Sequence, residues 1–115
     1  MACLVLASPI LPDKEEAWRR FYQELSGSRQ TEYKQFRRRL RITKEFVWVS
    51  QAPRGEIAIV YLEVEDLEQV IPNVITSDLP FDRWFRQQLL ELHGLDMRHL
   101  LARSPGELVF SWHVS

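Results

Sequence analysis

One cysteine, four glycines and six prolines in 115 residues put several kinds of protein out of reach. A lone cysteine closes no internal disulfide, so a packed core must hold the fold. Four glycines cannot build a glycine-rich phosphate cradle, and no Gly-x-Ser-x-Gly elbow, phosphate loop or dinucleotide fingerprint occurs. Hydrolases, kinases and nicotinamide dehydrogenases that depend on those motifs are disfavoured. Apolar runs end after about ten residues, against the roughly twenty a membrane helix needs. Charge of one sign is also missing, with 15 Lys and Arg against 16 Asp and Glu for a formal net charge of -1. What is present, 45% hydrophobic and 11% aromatic residues, is the composition of one folded domain spanning residues 1–115. A chain of this length buries roughly two thirds of its unfolded surface, enough for one core.

The N-terminal run Ala2 to Ser8 is apolar or small throughout and reads as a first strand covered on both faces. No Lys or Arg precedes it, which argues against a signal peptide, and Cys3 within it is expected to be a buried, inert thiol. A thiol of that kind points to the cytoplasm. Pro9 and Pro12 end the strand, and Pro12 can open a helix in which Trp18, Phe21, Tyr22 and Leu25 form the apolar stripe and Gly27 the stop. Ser28 is a candidate cap for a second helical stretch to Leu40, or for the far half of one bent helix. Glu45–Gln51 and Glu56–Val64, joined by Ala52-Pro53-Arg54-Gly55, predict an antiparallel hairpin. Asp66 caps a short stripe interrupted by Pro72, where a regular helix loses about 3 kcal/mol. Pro80 to Gly94 is the best-marked helix, and Glu107–Val114 is expected to be the last strand.

Strand, helix, strand, strand, helix, strand is the order of a ferredoxin-like split βαββαβ sandwich, an α+β fold with a four-stranded antiparallel sheet and its helices on one face. Both parities of the strands are apolar. Phe46, Trp48, Ile57, Ile59, Tyr61, Leu108, Phe110 and Trp112 make one set, and Val47, Val49, Ala58, Val60, Leu62 and Val109 the other. Monomers seldom expose an apolar patch beyond a few hundred square ångströms, so the face without helices should meet a second copy. A homodimer is the expected assembly.

Ser77-Asp78-Leu79-Pro80-Phe81-Asp82-Arg83-Trp84-Phe85 followed by Glu91-Leu92-His93-Gly94-Leu95-Asp96, with Arg37-Arg38-Arg39-Leu40 and Val60-Tyr61-Leu62-Glu63 upstream, resembles uncharacterised bacterial proteins of the dimeric α/β-barrel group of ferredoxin-like proteins. The resemblance covers nearly the whole chain and implies fold more than function, since that architecture hosts cofactorless monooxygenases, haem-dependent enzymes, mutarotases and proteins without known activity. It supplies no catalytic motif and leaves the cofactor open.

Among the residues themselves, Trp48, Tyr61 and Trp112 combine apolar bodies with polar tips, and Ser50 and Glu63 share their parity. Those are the parts of an apolar ligand pocket, and equally of an aromatic dimer interface. His93 and Tyr61 are the candidate proton handlers, with Asp96 three residues from His93 to orient it. The alternative for His93 is a helix-end histidine serving the last carbonyls. His93, Asp96 and His99 straddle a glycine and make a poor metal set, so no metal site is expected. His113 reads as an edge residue, and the pairs Glu15/Glu16 and Glu63/Glu65 as surface charges rather than a glycosidase dyad. Seven cations lie between Ser28 and Lys44 against the single anion Glu32, so this stretch carries +6 and the rest of the chain -7. A solvated helix face explains it more simply than nucleic acid, for which no stacking or groove-reading motif is present. Arg37, on the apolar stripe, is the member expected to reach inward to a carboxylate. Two functional readings follow: a barrel cavity binding a small, partly apolar molecule, with cofactorless oxygenase or isomerase chemistry as one use of it, and a non-catalytic interaction dimer. The sequence leaves open whether the chain is an enzyme.

Overall fold

A computed structural model describes residues 2–97 and 109–114. Its elements run β1 (Ala2–Pro9), α1 (Glu15–Ser26), α2 (Gln30–Arg39), β2 (Ile42–Ala52), β3 (Gly55–Val64), α3 (Leu67–Thr76) and α4 (Pro80–His93). The fold is α+β, and the sheet of the described residues has three antiparallel strands in the order β1-β3-β2. The hairpin turns on Pro53 and Arg54, with Ala52 opposite Gly55. Gly55 takes a φ of 130°, a conformation only glycine reaches without strain. β2 begins earlier than its β-branched residues suggest, because Ile42 already pairs with Val64 and a bulge follows between Ile42 and Lys44.

All four helices serve one face of this sheet. Trp18, Phe21 and Leu25 of α1, Tyr33 and Phe36 of α2, Val74 of α3 and Phe81 and Leu92 of α4 are buried in one cluster with Ala58 of β3. The stripes recur at three- and four-residue spacing because that spacing repeats one side of a helix. Aromatic rings make up much of this layer: Phe36 lies 4.7 Å from Phe85 and Phe21 lies 5.5 Å from Trp84, ring centre to ring centre. Leu62, Val64 and Val70 extend the core toward the end of β3.

Several expectations change. The Pro12 start gives way to a turn in which Lys14 N–H donates to the Leu11 carbonyl and Asp13 adopts φ 65°, so the helix opens at Glu15. α1 and α2 are separate helices, parted by Gly27, rather than one bent helix. Neither Ser28 nor the Asp66 side chain caps; Arg29 and Asp66 occupy the N-cap positions without a side-chain hydrogen bond. α3 continues through Pro72 for ten residues in all. β1 is not covered on both faces: burial alternates along it, and Cys3 is exposed, because a two-residue period turns every second side chain away from the helices. Of the predicted last strand, Glu107 and Leu108 lie outside the described residues, and Val109–Val114 form no strand. Phe110 and Trp112 there are exposed, unable to join a sheet parity while unpaired.

Candidate functional site

The period of the strands builds the site. Positions 46, 48 and 50 of β2, 57, 59, 61 and 63 of β3, and 3, 5, 7 and 9 of β1 face away from the helices, and the register lays them side by side: Phe46 and Val5 flank Tyr61, Trp48 and Ala7 flank Ile59, and Ser50 and Pro9 flank Ile57. The result is a continuous apolar surface. Phe46 is 49%, Trp48 52% and Val5 45% exposed. Phe46 stands between Trp48 at 5.9 Å and Tyr61 at 6.2 Å, ring centre to ring centre. Within β2 and β3 small Ala58, Val60 and Leu62 face the helices, and Phe46, Trp48 and Tyr61 face away from them.

Polar groups gather at one end of this face. The Tyr61 phenol donates to Glu63 Oε2 at 2.9 Å, and Lys44 Nζ lies 3.6 Å from the same oxygen. The bond to Glu63, with some desolvation and the charge of that carboxylate, pushes the phenol above its ordinary range. Tyr61 is thus a neutral donor near neutral pH. Glu63 is the acceptor of that hydrogen bond.

The other candidates lie elsewhere. His93, at the end of α4, sits on the helix side of the sheet, where it lines an apolar cavity of about 110 Å³ with Leu6, Ser8 and Leu89. Its Nδ1 is 2.9 Å from the Pro9 carbonyl, which accepts, so the proton is on Nδ1 in the neutral ring. Burial holds the His93 pKa below 6.5 against the opposing effect of that bond. A sheet therefore separates His93 from Tyr61, and within one chain they cannot act on one atom. Trp112 stands 73% exposed outside the sheet and is not brought to Trp48. Arg37 lays its guanidinium over the Tyr33 ring at 4.8 Å, and its charge is felt by Glu45.

Two polar contacts escape sequence reasoning. Arg39, not Arg37, makes the paired contact with a buried acid: its Nη1 and Nη2 donate to both oxygens of Asp82, at 2.6 and 2.8 Å. The Tyr33 phenol lies 2.6 and 2.7 Å from the two oxygens of Glu45. Burial raises the Glu45 carboxyl, outweighing the opposing effects of Tyr33 and Arg37. Glu45 alternates with Phe46 in β2, and that alternation was the available signal, since it turns Glu45 toward the helices. Among the described residues no three His, Cys, Asp or Glu side chains gather as metal ligands, and no helix is long and apolar enough to cross a membrane.

No protein-family model, curated protein or solved structure matches this chain.

Proposed function

We propose that the chain acts as a homodimer in which two copies bring their open sheet faces together as an α/β barrel and hold a small, partly apolar molecule between them. The observation that carries this reading is the apolar surface of Phe46, Trp48, Val5, Ile57, Ile59 and Tyr61, left bare by the helices. A second copy is the simplest cover, because a two-fold axis sets the same surface against itself and stacked sheets pack about 10 Å apart. Glu107–Val114 would supply the fourth strand of a ferredoxin-like sheet: among the described residues β1 pairs on one side only, and Phe110 and Trp112 already carry the alternation of a strand. The resemblance to uncharacterised bacterial proteins of the dimeric α/β-barrel group agrees with this arrangement, and an exposed free thiol at Cys3 suits a reducing cytoplasm. Tyr61 and Glu63 are the pair placed to orient a ligand or move its proton, as cofactorless oxygenase or isomerase chemistry would require.

Native mass spectrometry of the freshly purified protein tests this. The expected species is twice the 13.7 kDa chain mass with an additional small mass that is lost on denaturation. A persistent monomer at micromolar concentration would overturn the dimer. A second reading, a dimer without a ligand, is favoured by the contacts the aromatics already make with one another and by the Tyr61 phenol already bonded to Glu63. Tyr61→Phe separates the two: loss of the bound mass from an intact dimer supports the ligand site, and a clean wild-type dimer supports the interaction role.

A further inference from the structure

The basic stretch does not remain an even helix face in three dimensions. Lys34, Arg37 and Arg38 of α2 and Thr43, Lys44 and Glu45 of β2 wall one cleft of about 250 Å³ at the outer edge of the sheet. Arg39 is turned away to Asp82 and Arg41 lies in a neighbouring depression, so a subset of the cations converges here. The bulge between Ile42 and Lys44 lies in this wall, where Thr43 and Lys44 are both exposed.

The cleft's single acid is engaged from behind, because both Glu45 oxygens lie within hydrogen-bond reach of the Tyr33 phenol. Arg37 is held in place over the Tyr33 ring. Three cations, Lys34, Arg37 and Arg38, against one tied carboxylate, with two guanidinium forks among them, suit an anion with several oxygens, while Lys44 at the rim leans to Glu63 at 3.6 Å. We propose that this cleft binds a small phosphate monoester. Its volume lies near the lower end of ligand pockets, roughly 300 Å³, which suits a phosphate bearing a small organic group. A nucleic-acid backbone fits less well. The cations meet in one cleft and do not run on as a stripe, and Glu65, Asp66 and Glu68 follow at the start of α3, where the Glu65 N–H donates to the Arg41 carbonyl.

The test is titration of phenyl phosphate into the ¹⁵N-labelled full chain, followed by amide shifts, with inorganic phosphate and a short oligothymidylate as parallel probes. Saturable shifts confined to residues 34–45 are expected, with inorganic phosphate weaker at the same amides. Lys34→Ala and Arg38→Ala, both at exposed positions, should each weaken phenyl phosphate roughly tenfold, as loss of a charged hydrogen-bond donor does. Arg54→Ala, in the hairpin turn, should leave affinity unchanged, and unaltered core amides confirm that each variant is folded. Absence of saturable shifts, or equal weakening by Arg54→Ala, would overturn the site. Equal affinity for inorganic phosphate would overturn the ester specificity, and tighter, steeply salt-dependent binding of the oligothymidylate would replace the small ligand with nucleic acid.

Discussion

Asp82 shows how one residue can serve two levels of the fold. In sequence it is a first-turn acid that favours the positive end of α4, and in space it is 2% exposed and clasped by Arg39. Burial alone would raise its pKa, but hydrogen bonds from Arg39 and Ser77 and the charges of Arg39 and Arg86 outweigh this and hold the carboxyl below 3.8. Arg39→Ala would leave the Asp82 carboxylate with only Ser77 and the charge of Arg86 and, since the Arg39 side chain is itself partly exposed, should cost about 1–2 kcal/mol in urea unfolding near neutral pH. The pH dependence follows from the sign. A depressed carboxyl stabilises the fold above its unfolded value and loses that contribution as pH falls through the folded one. Glu45 acts in the opposite sense: with its folded value above 4.5, its contribution is complete below that pH and declines as pH rises through the folded value. Glu45→Gln should therefore flatten the loss of thermal stability between pH 4.5 and neutrality. An unchanged profile would show that Glu45 ionises freely. His93, half-buried as the neutral ring, should titrate by NMR with a midpoint below 6.5, and folding should weaken as pH drops through that range because the unfolded histidine takes the proton first.

At the scale of elements, the clearest features are those that local chemistry decides. α4 runs from Pro80 to His93 and stops at Gly94 in the left-handed region, φ 66°. Gly94→Ala should destabilise by about 1 kcal/mol through backbone strain alone, since the added methyl would meet only Leu11 at ordinary contact distance. A denaturation midpoint equal to wild type would mean that the α4 end relaxes. The hairpin was equally legible, from alternation and a Pro-Arg-Gly turn, whereas which of its two sides the helices cover is decided only by their packing. The Arg39–Asp82 contact was not, because helix periodicity says which side of α2 faces inward and nothing about a residue 43 positions later. Arg37 and Arg39 both border that side, and only the packed position of α4 decides between them. The helix start at Glu15 was missed for a related reason: a left-handed Asp13 in the preceding turn is a permitted choice that leaves no strong signal in composition.

For the whole molecule, the informative fact is an imbalance. The helices bury one side of the sheet and leave Phe46 and Trp48 about half exposed on the other. The sequence shows that both sides are apolar, but alternation in β2 and β3 records only the need for cover on the second and not its source. Trp48→Asp puts a charge at the middle of the open face without touching the helix side. It should convert the proposed dimer to monomer in sedimentation while helix content by circular dichroism stays unchanged; a dimer that survives the change would have to assemble elsewhere.

Cys3 lies on that same face, directly across from Glu63 in the β1–β3 register. The chain thus carries its own reporter at the surface in question, and it is the only thiol present. Alkylation needs the sulfur to be reached, so the labelling rate measures the fraction of time the open face is uncovered. That rate should fall with rising protein concentration as the face is occupied, a readout of association that needs no substitution, dye or tag.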